Sequence, residues 1–199
     1  MQFDREKFFG EYKNAYGRPA QEQVDGLNSL LSYIEGDKDI MDLRWAAYMF
    51  ATVKHECADK YQPITEFGSS RLYFNKYDGM PDLGNKVPGD GYRYRGRGYV
   101  QLTGRTNYQN MTKVLQLTGD NDLVDNPDST LRPDIAYRIM SYGMRKGSFT
   151  GKRLSDYIDD SGCDYSKARR IINGHNQADK IKGYAEHFEA IFKASLIQA

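Results

Sequence analysis

Gly91-Tyr-Arg-Tyr-Arg-Gly-Arg-Gly-Tyr-Val-Gln-Leu-Thr103 alternates tyrosine with arginine, and then glycine with larger residues. Alternation of this kind suits extended backbone in close approach to a neighbour or ligand, and it predicts a hairpin. The run closes a stretch, Asp59 to Gly91, that holds Pro63, Gly68, Gly79, Pro81, Gly84, Pro88 and Gly89, too much punctuation for a long helix. Residues 60–103 are therefore expected to be loops and short strands, and long irregular stretches inside a compact domain are often functional.

Helical spacing surrounds this insertion. Upstream, Val24, Leu27, Leu30, Leu31 and Ile34 recur at three and four residues, with Pro19 suited to the first turn and Gly36 to the stop, which predicts a helix over 19–35. Asp39 is placed to cap a second helix, on which Leu43, Ala46, Ala47, Phe50 and Val53 form the apolar face and which ends near Cys57. Downstream, Tyr108, Met111, Val114 and Leu115 mark a helix stopped by Gly119. Pro133 opens another that runs through Ile135, Ala136, Ile139 and Met140 to Gly147. Short helices are expected over 152–159 and 165–173, separated by Ser161-Gly-Cys163, with Asn173-Gly174 as a turn. Ile181, Tyr184, Ala185, Phe188, Ile191 and Phe192 make one stripe on a terminal helix, whose Lys180, Lys182 and Lys193 lie outside the stripe; packing onto the core is its expected fate. The first 18 residues carry little pattern, and Phe3, Phe8, Phe9 and Tyr12 are expected to cap a core made by later helices. The whole reads as one mainly α domain over 1–199, with a helical part at 1–38 and a small β or irregular insertion around 60–103.

Composition narrows the function. The chain has 199 residues, enough for one domain or one domain of two lobes, and Lys+Arg number 28 against 27 for Asp+Glu, so its +1 charge gives no general reason to expect a nucleic-acid partner. Sixteen tyrosines offer rings that stack and hydroxyls that hydrogen-bond, a combination suited to sugars and equally to an ordinary core margin. Cys57 and Cys163 have no paired spacing and are expected to be free thiols. His55, His175 and His187 are too scattered for a metal site, and no Walker, G-x-S-x-G or H-E-x-x-H pattern occurs, so neither metal nor cofactor is expected. No apolar run reaches about 18 residues and the start lacks the apolar core of a secretory signal, so the expectation is a soluble monomer with no encoded export and no stable membrane insertion.

The chemistry centres on His55-Glu56, at the end of the second helix. The negative end of that helix and partial burial would both favour a protonated Glu56, fit to act as a general acid. In isolation, a helix-end glutamate paired with Lys54 or Lys60 is the commoner outcome, and His55 is as readily a structural group as a sugar donor. Glycosidic cleavage also needs a second carboxylate, and in an inverting enzyme the two carboxyls lie roughly 6.5–9.5 Å apart to admit a water. Glu66 is the first candidate, beyond the turn at Pro63; Asp78 is the reserve, with Asp59 and Asp82 also available. Thr103 and Asn107 could hold a water or an N-acetyl group, although helix capping suits Thr103 as well. Arg93, Arg95 and Arg97 could face anions or pair with nearby aspartates.

Lys54-His-Glu56, Tyr94 to Tyr108, Asn126-Pro-Asp128 followed by Ala136, and Arg170-Ile-Ile-Asn-Gly174 together resemble, in order, the family 19 glycoside hydrolases, and in particular their phage endolysin branch. The R-G-R-G-x-x-Q-L-T-x-x-x-N-Y run is the most specific element. The resemblance covers roughly residues 40 to 190, so 39–199 is the family-like core. It implies a lysozyme-like, two-lobed helical fold that cuts β-1,4 bonds of peptidoglycan glycan strands, or of chitin, with inversion. Glu56 then matches the general acid, Thr103 the hydroxyl that positions the attacking water, and Asn107 and Asn173 substrate-binding asparagines; Tyr99, Gln101 and His55 join the same wall. In plant chitinases the second carboxylate falls nearer Asp78, whereas the endolysin-like P-x-x-E pattern at Pro63 to Glu66 favours Glu66. Such an enzyme is expected to wait in the host cytoplasm until a separate pore-forming protein gives it access to the wall.

Overall fold

The computed structural model describes residues 1–197. In chain order its elements are α1 (Arg5–Tyr16), α2 (Gln21–Gly36), α3 (Leu43–Glu56), β1 (Ile64–Thr65), α4 (Asp90–Arg93), β2 (Arg97–Gly98), α5 (Arg105–Val114), α6 (Pro133–Lys146), β3 (Ile158–Asp159), β4 (Gly162–Cys163), α7 (Tyr165–Ala168) and α8 (Ala178–Ser195). Short 3₁₀ turns fill several of the gaps, the longest over Arg71–Tyr77. Packing divides the chain into two units, Met1–Tyr61 with Met140–Ala199, and Gln62–Ile139. The fold is mainly helical, as the periodicity predicts.

In the first unit α3 is the central helix. Every side chain from Ala46 to Val53 is fully buried, so this helix is core on all sides rather than on one stripe. The α8 stripe packs on it: the rings of Phe188 and Phe192 meet Phe50 edge-on at 5.5 and 4.9 Å. The weakly patterned start is itself a helix, α1, capped by the Asp4 carboxylate on the Lys7 N–H, and it buries Phe8 and Tyr12. Only those two positions, four residues apart, are buried on α1, too few for a periodic signal in the sequence. Two other expectations are corrected. Asp42, not Asp39, caps α3, accepting from the Arg44 N–H at 2.8 Å, while Asp39 pairs with Arg145 at 2.9 Å. The segment 152–159 is not a helix: a 3₁₀ turn at Leu154–Asp156 leads into the β3–β4 hairpin, Ile158 opposite Cys163, whose turn is held by Asp159 Oδ1 accepting from the Ser161 and Gly162 N–H groups. Cys57 is buried and Cys163 exposed, and neither is in a disulfide.

The Gln62–Ile139 unit has few regular elements. β1 and β2 pair antiparallel, Ile64 opposite Gly98 and Thr65 opposite Arg97. The hairpin expected within 91–103 reduces to one antiparallel bridge, Arg97 to Leu102, with Gln101 in the left-handed region at φ 53°, because Gly91 to Arg93 belong to α4. Polar side chains fix the irregular backbone in place of a ladder. Asp78 accepts from the Gly89 and Gly91 N–H groups, and buried Asp90 accepts from Lys86 and Val87 N–H and from Arg105. Gly104 begins α5 at φ 93°, and a Cβ there would lie 2.8 Å from the Leu83 carbonyl oxygen. Among the described residues, no helix is long and apolar enough to cross a membrane.

Candidate active site

In the first unit, Glu56 is the last residue of α3 and only 16% of its side chain is exposed. The two lysines weighed as its partners are engaged elsewhere. Lys54, itself buried, pairs with Asp59 at 2.5 Å and lies 4.0 Å from the Tyr16 ring centroid, and Lys60 faces Glu22 at 3.7 Å. The partner is Arg169, whose guanidinium donates to Glu56 Oε1 at 2.7 Å and to the Asn176 carbonyl at 3.0 Å. Arg169 is 3% exposed at its side chain, and its charge offsets the negative end of α3. Glu56 Oε2 accepts no hydrogen bond from the described residues, so one oxygen is held and the other is left to act. The chain then turns sharply, with Ala58, Asp59 and Tyr61 all at positive φ, and the Asp59 N–H donates to the Lys54 carbonyl across that turn at 2.9 Å.

Arg169 was not singled out in the sequence. Nothing local marks it: Arg169 sits in Lys167-Ala-Arg-Arg-Ile171 beside an equivalent Arg170, and only the fold buries one of the two, where a buried cation needs a buried anion. His55 is half-buried; burial pushes its imidazole below the ordinary value, the Glu56 carboxylate pulls it back up, and the positive charges of Arg169 and Lys180 push it down again. Tyr48 stacks on Tyr165 and buries its hydroxyl near both members of the Glu56–Arg169 pair, with burial raising the phenol above its usual value. Asn173 is exposed on the same segment as Arg169, its N–H donating to the Arg169 carbonyl and its Oδ1 accepting from the Gly174 N–H.

In the second unit, Glu66 directly follows β1 and is fixed at three points. Its N–H donates to the Gly96 carbonyl at 2.7 Å, Oε1 accepts from the Tyr77 hydroxyl at 2.9 Å, and Oε2 accepts from the Gly96 N–H at 3.2 Å. Each oxygen keeps a lone pair for a water. Burial raises the Tyr77 phenol above its ordinary value, and its bond to the Glu66 carboxylate raises it further. Asp78 is a different kind of residue: its two oxygens cap the backbone of Gly89 and Gly91, which makes it part of the frame rather than a ready base.

Gln101, Thr103 and Asn107 form a relay along one segment. Gln101 Nε2 donates to the Ile64 and Gly98 carbonyls, tying β1 to β2 with both of its amide hydrogens. Thr103 does not cap α5; Gly104 occupies that position, and the Thr103 hydroxyl donates to the Gln101 carbonyl at 2.9 Å. Having given its proton there, the hydroxyl oxygen is an acceptor for a water. Asn107 Nδ2 donates to the Thr103 carbonyl at 2.7 Å, which leaves Oδ1 as an acceptor. Tyr99 is fully buried and belongs to the core of this unit, with no ring face open to a sugar. Phe67, 92% exposed beside Glu66, and Tyr73, 41% exposed, carry no motif in the sequence but present rings of the kind that stack on sugar faces. Among the described residues no group of three or more metal-ligating side chains occurs.

No protein-family model matches the chain. Over 81 residues, 40% of this chain, it is 33% identical to a glycosyl hydrolase family 19 domain-containing protein of Haemophilus influenzae, and the shared stretch is 38% of that relative's length. Among solved structures, it is similar to chitinase C from Streptomyces griseus, with TM-score 0.63 and 19% identity over 99% of this chain and 79% of that one. It is also similar to a bacterial family 19 chitinase, with TM-score 0.64 and 20% identity over 96% of this chain and 97% of that one. Sequence over part of the chain and fold over nearly all of it thus agree with the motifs: the resemblance is to the family 19 glycoside hydrolases, and the fold is that of their chitinases.

Proposed function

We propose that this chain is a glycoside hydrolase that cuts β-1,4 bonds of bacterial peptidoglycan with inversion, in the manner of an endolysin. The observation that carries the hydrolase reading is Glu56, a half-buried carboxyl at a helix end with one oxygen on a buried guanidinium and the other unengaged, in a chain with the fold of family 19 chitinases. In this reading Glu56 gives its proton to the bridging oxygen as the bond to the anomeric carbon breaks. Glu66 takes a proton from the attacking water, which the Thr103 hydroxyl oxygen helps to orient, and Asn107 and Asn173 hold the glycan. Solvent returns the proton to Glu56 and removes the one on Glu66. The preference for peptidoglycan rests on the P-x-x-E and R-G-R-G-Y-V-Q-L-T patterns; the enzyme would act as a monomer, reaching the wall from the host cytoplasm through a pore made by another protein.

A second reading, cleavage of chitin, is favoured by the names of the structural neighbours, both chitinases. Mass analysis of fragments released from purified peptidoglycan and from chitin oligomers, with the anomer formed read by NMR, separates the two. Peptidoglycan fragments with a new reducing end and inverted anomer are expected, and Glu56→Gln should lower their release by about 10²–10⁴-fold. Bound but uncut glycan with the unmodified protein would reduce the chain to a glycan-binding module.

A further inference from the structure

The arginines singled out in the sequence are only partly used by the fold. Arg71, Arg93, Arg95, Arg97 and Arg105, all in the Gln62–Ile139 unit, line one open cavity of about 680 Å³. Two of them are neutralised: Arg97 by Asp128 at 2.8 Å and Arg105 by buried Asp90 at 2.5 Å. Arg71, Arg93 and Arg95 have no carboxylate partner among the described residues. Arg93 donates to the Val124 and Asp125 carbonyls and the Tyr94 hydroxyl, and Arg95 to the Tyr92 carbonyl, none of which carries charge. Arg71 and Arg95 both lie against the Tyr92 ring, 4.9 and 4.1 Å from its centroid.

Asp125 is the one lining carboxylate not committed to an arginine, so the cavity sets five guanidiniums against three carboxylates in a chain whose overall charge is only +1. The Tyr92 ring attracts each guanidinium, but the two repel one another; an anion between them relieves that repulsion, and the planar fork of arginine matches the geometry of a carboxylate or a phosphate.

We propose that this cavity binds an oxyanion group carried by the polymer the enzyme acts on, with Arg71 and Arg95 as its principal contacts. If the polymer is peptidoglycan, the oxyanion is a free carboxylate of the peptides attached to the glycan strand. That identification rests on the function proposed above; the anion site itself does not.

Two measurements test this. Calorimetric titration of the unmodified protein and of the Arg71→Ala/Arg95→Ala variant with citrate, and separately with inorganic phosphate, reads the site without any cleavage. Co-sedimentation with purified peptidoglycan, before and after carbodiimide amidation of its carboxylates, reads the polymer. Saturable citrate binding, weakened about tenfold or more in the variant and by added salt, is expected, as is loss of co-sedimentation on amidation. Arg71→Glu alone, at an exposed position, should give the same direction if the double variant fails to fold. The absence of saturable anion binding, or equal binding by unmodified and variant proteins, would overturn the site. Phosphate binding without citrate binding, with co-sedimentation indifferent to amidation, would overturn the carboxylate assignment in favour of a phosphate-bearing wall polymer. Anion binding by a protein that leaves peptidoglycan uncut would uphold the cavity and overturn the proposed activity instead.

Discussion

Glu56 ends a helix of 14 residues whose middle is buried on every side, whereas Glu66 follows a strand of two residues in a stretch that is mostly turns. The first carboxylate is placed by apolar packing and one buried ion pair. The second is placed by hydrogen bonds from a phenol, a backbone N–H and a neighbouring strand, with only a long, more exposed ion pair to Lys76 at 3.8 Å. Packing energy is spread over many atoms and tolerates small changes, but an ion pair out of water depends on both partners. A hydrogen-bonded frame has many small supports, each worth about 0.5–1.5 kcal/mol. The two units should therefore break differently.

The largest effect should come from removing Arg169. Arg169→Met leaves the Glu56 carboxylate, at 16% exposure, without its cation and should cost about 3–5 kcal/mol of stability, read as a fall in the denaturation midpoint. Adding Glu56→Gln to that variant should restore much of the loss, since a neutral amide no longer needs a guanidinium. A double variant no more stable than Arg169→Met alone would mean that Arg169 acts through packing or through the Asn176 carbonyl rather than through Glu56.

Next come the close approaches of backbone. In the second unit Gly104 combines φ 93° with a Cβ position 2.8 Å from Leu83 backbone, so Gly104→Ala should cost about 2–4 kcal/mol. In the first unit Gly26 lies within α2 at ordinary helical φ, but a Cβ there would meet the Tyr61 carbonyl oxygen at 2.4 Å. Alanine's helix propensity returns about 1 kcal/mol, so Gly26→Ala should cost less, about 1–2 kcal/mol net. Thermal melts of the two variants compare the units directly, and a larger loss at Gly26 would reverse the comparison.

These contrasts also explain what was legible beforehand. α2, α3, α6 and α8 announce themselves because each carries a stripe or run of apolar residues, and the sequence pattern of α8 is the face that packs on Phe50. α1 leaves no such mark because it buries only Phe8 and Tyr12, and β3–β4 none because a four-residue ladder has no period to detect. In the candidate site, Glu56, Glu66, Thr103 and Asn107 could be named from motifs, but their supports could not. Arg169 lies 113 positions from Glu56, and nothing local marks the pair. In sequence Asp78 is as available as Glu66; only the fold puts its oxygens on the Gly89 and Gly91 N–H groups.

Acid should weaken the second unit through Asp90. Burial alone would raise its carboxyl, but the Arg105 guanidinium and the Val87 and Lys86 N–H groups outweigh it and hold the folded value below the usual carboxylate range. The stability this group contributes is present above its unfolded value, near pH 4, and is lost as pH falls through the lowered folded value. One group exchanging one proton limits the slope to about 1.4 kcal/mol per pH unit. Urea unfolding between pH 5 and about pH 2.5 should show this component, and Asp90→Asn should flatten it.

The smallest effect separates a structural from a chemical role for Thr103. Its hydroxyl donates to the Gln101 carbonyl, so Thr103→Ala should cost only about 1 kcal/mol of stability, the usual net worth of one hydrogen bond. Thr103→Ser keeps that bond and should fold about as well as the unmodified chain. If the hydroxyl serves only the Gln101 carbonyl, kcat will follow stability, and both variants will cleave at close to the unmodified rate once folded. If its oxygen also holds the attacking water, Thr103→Ala will lose kcat with little change in KM while Thr103→Ser retains it. That split would make this site on the hydrogen-bonded frame as demanding in geometry as the ion pair at the end of α3, although the bond that fixes it is far weaker.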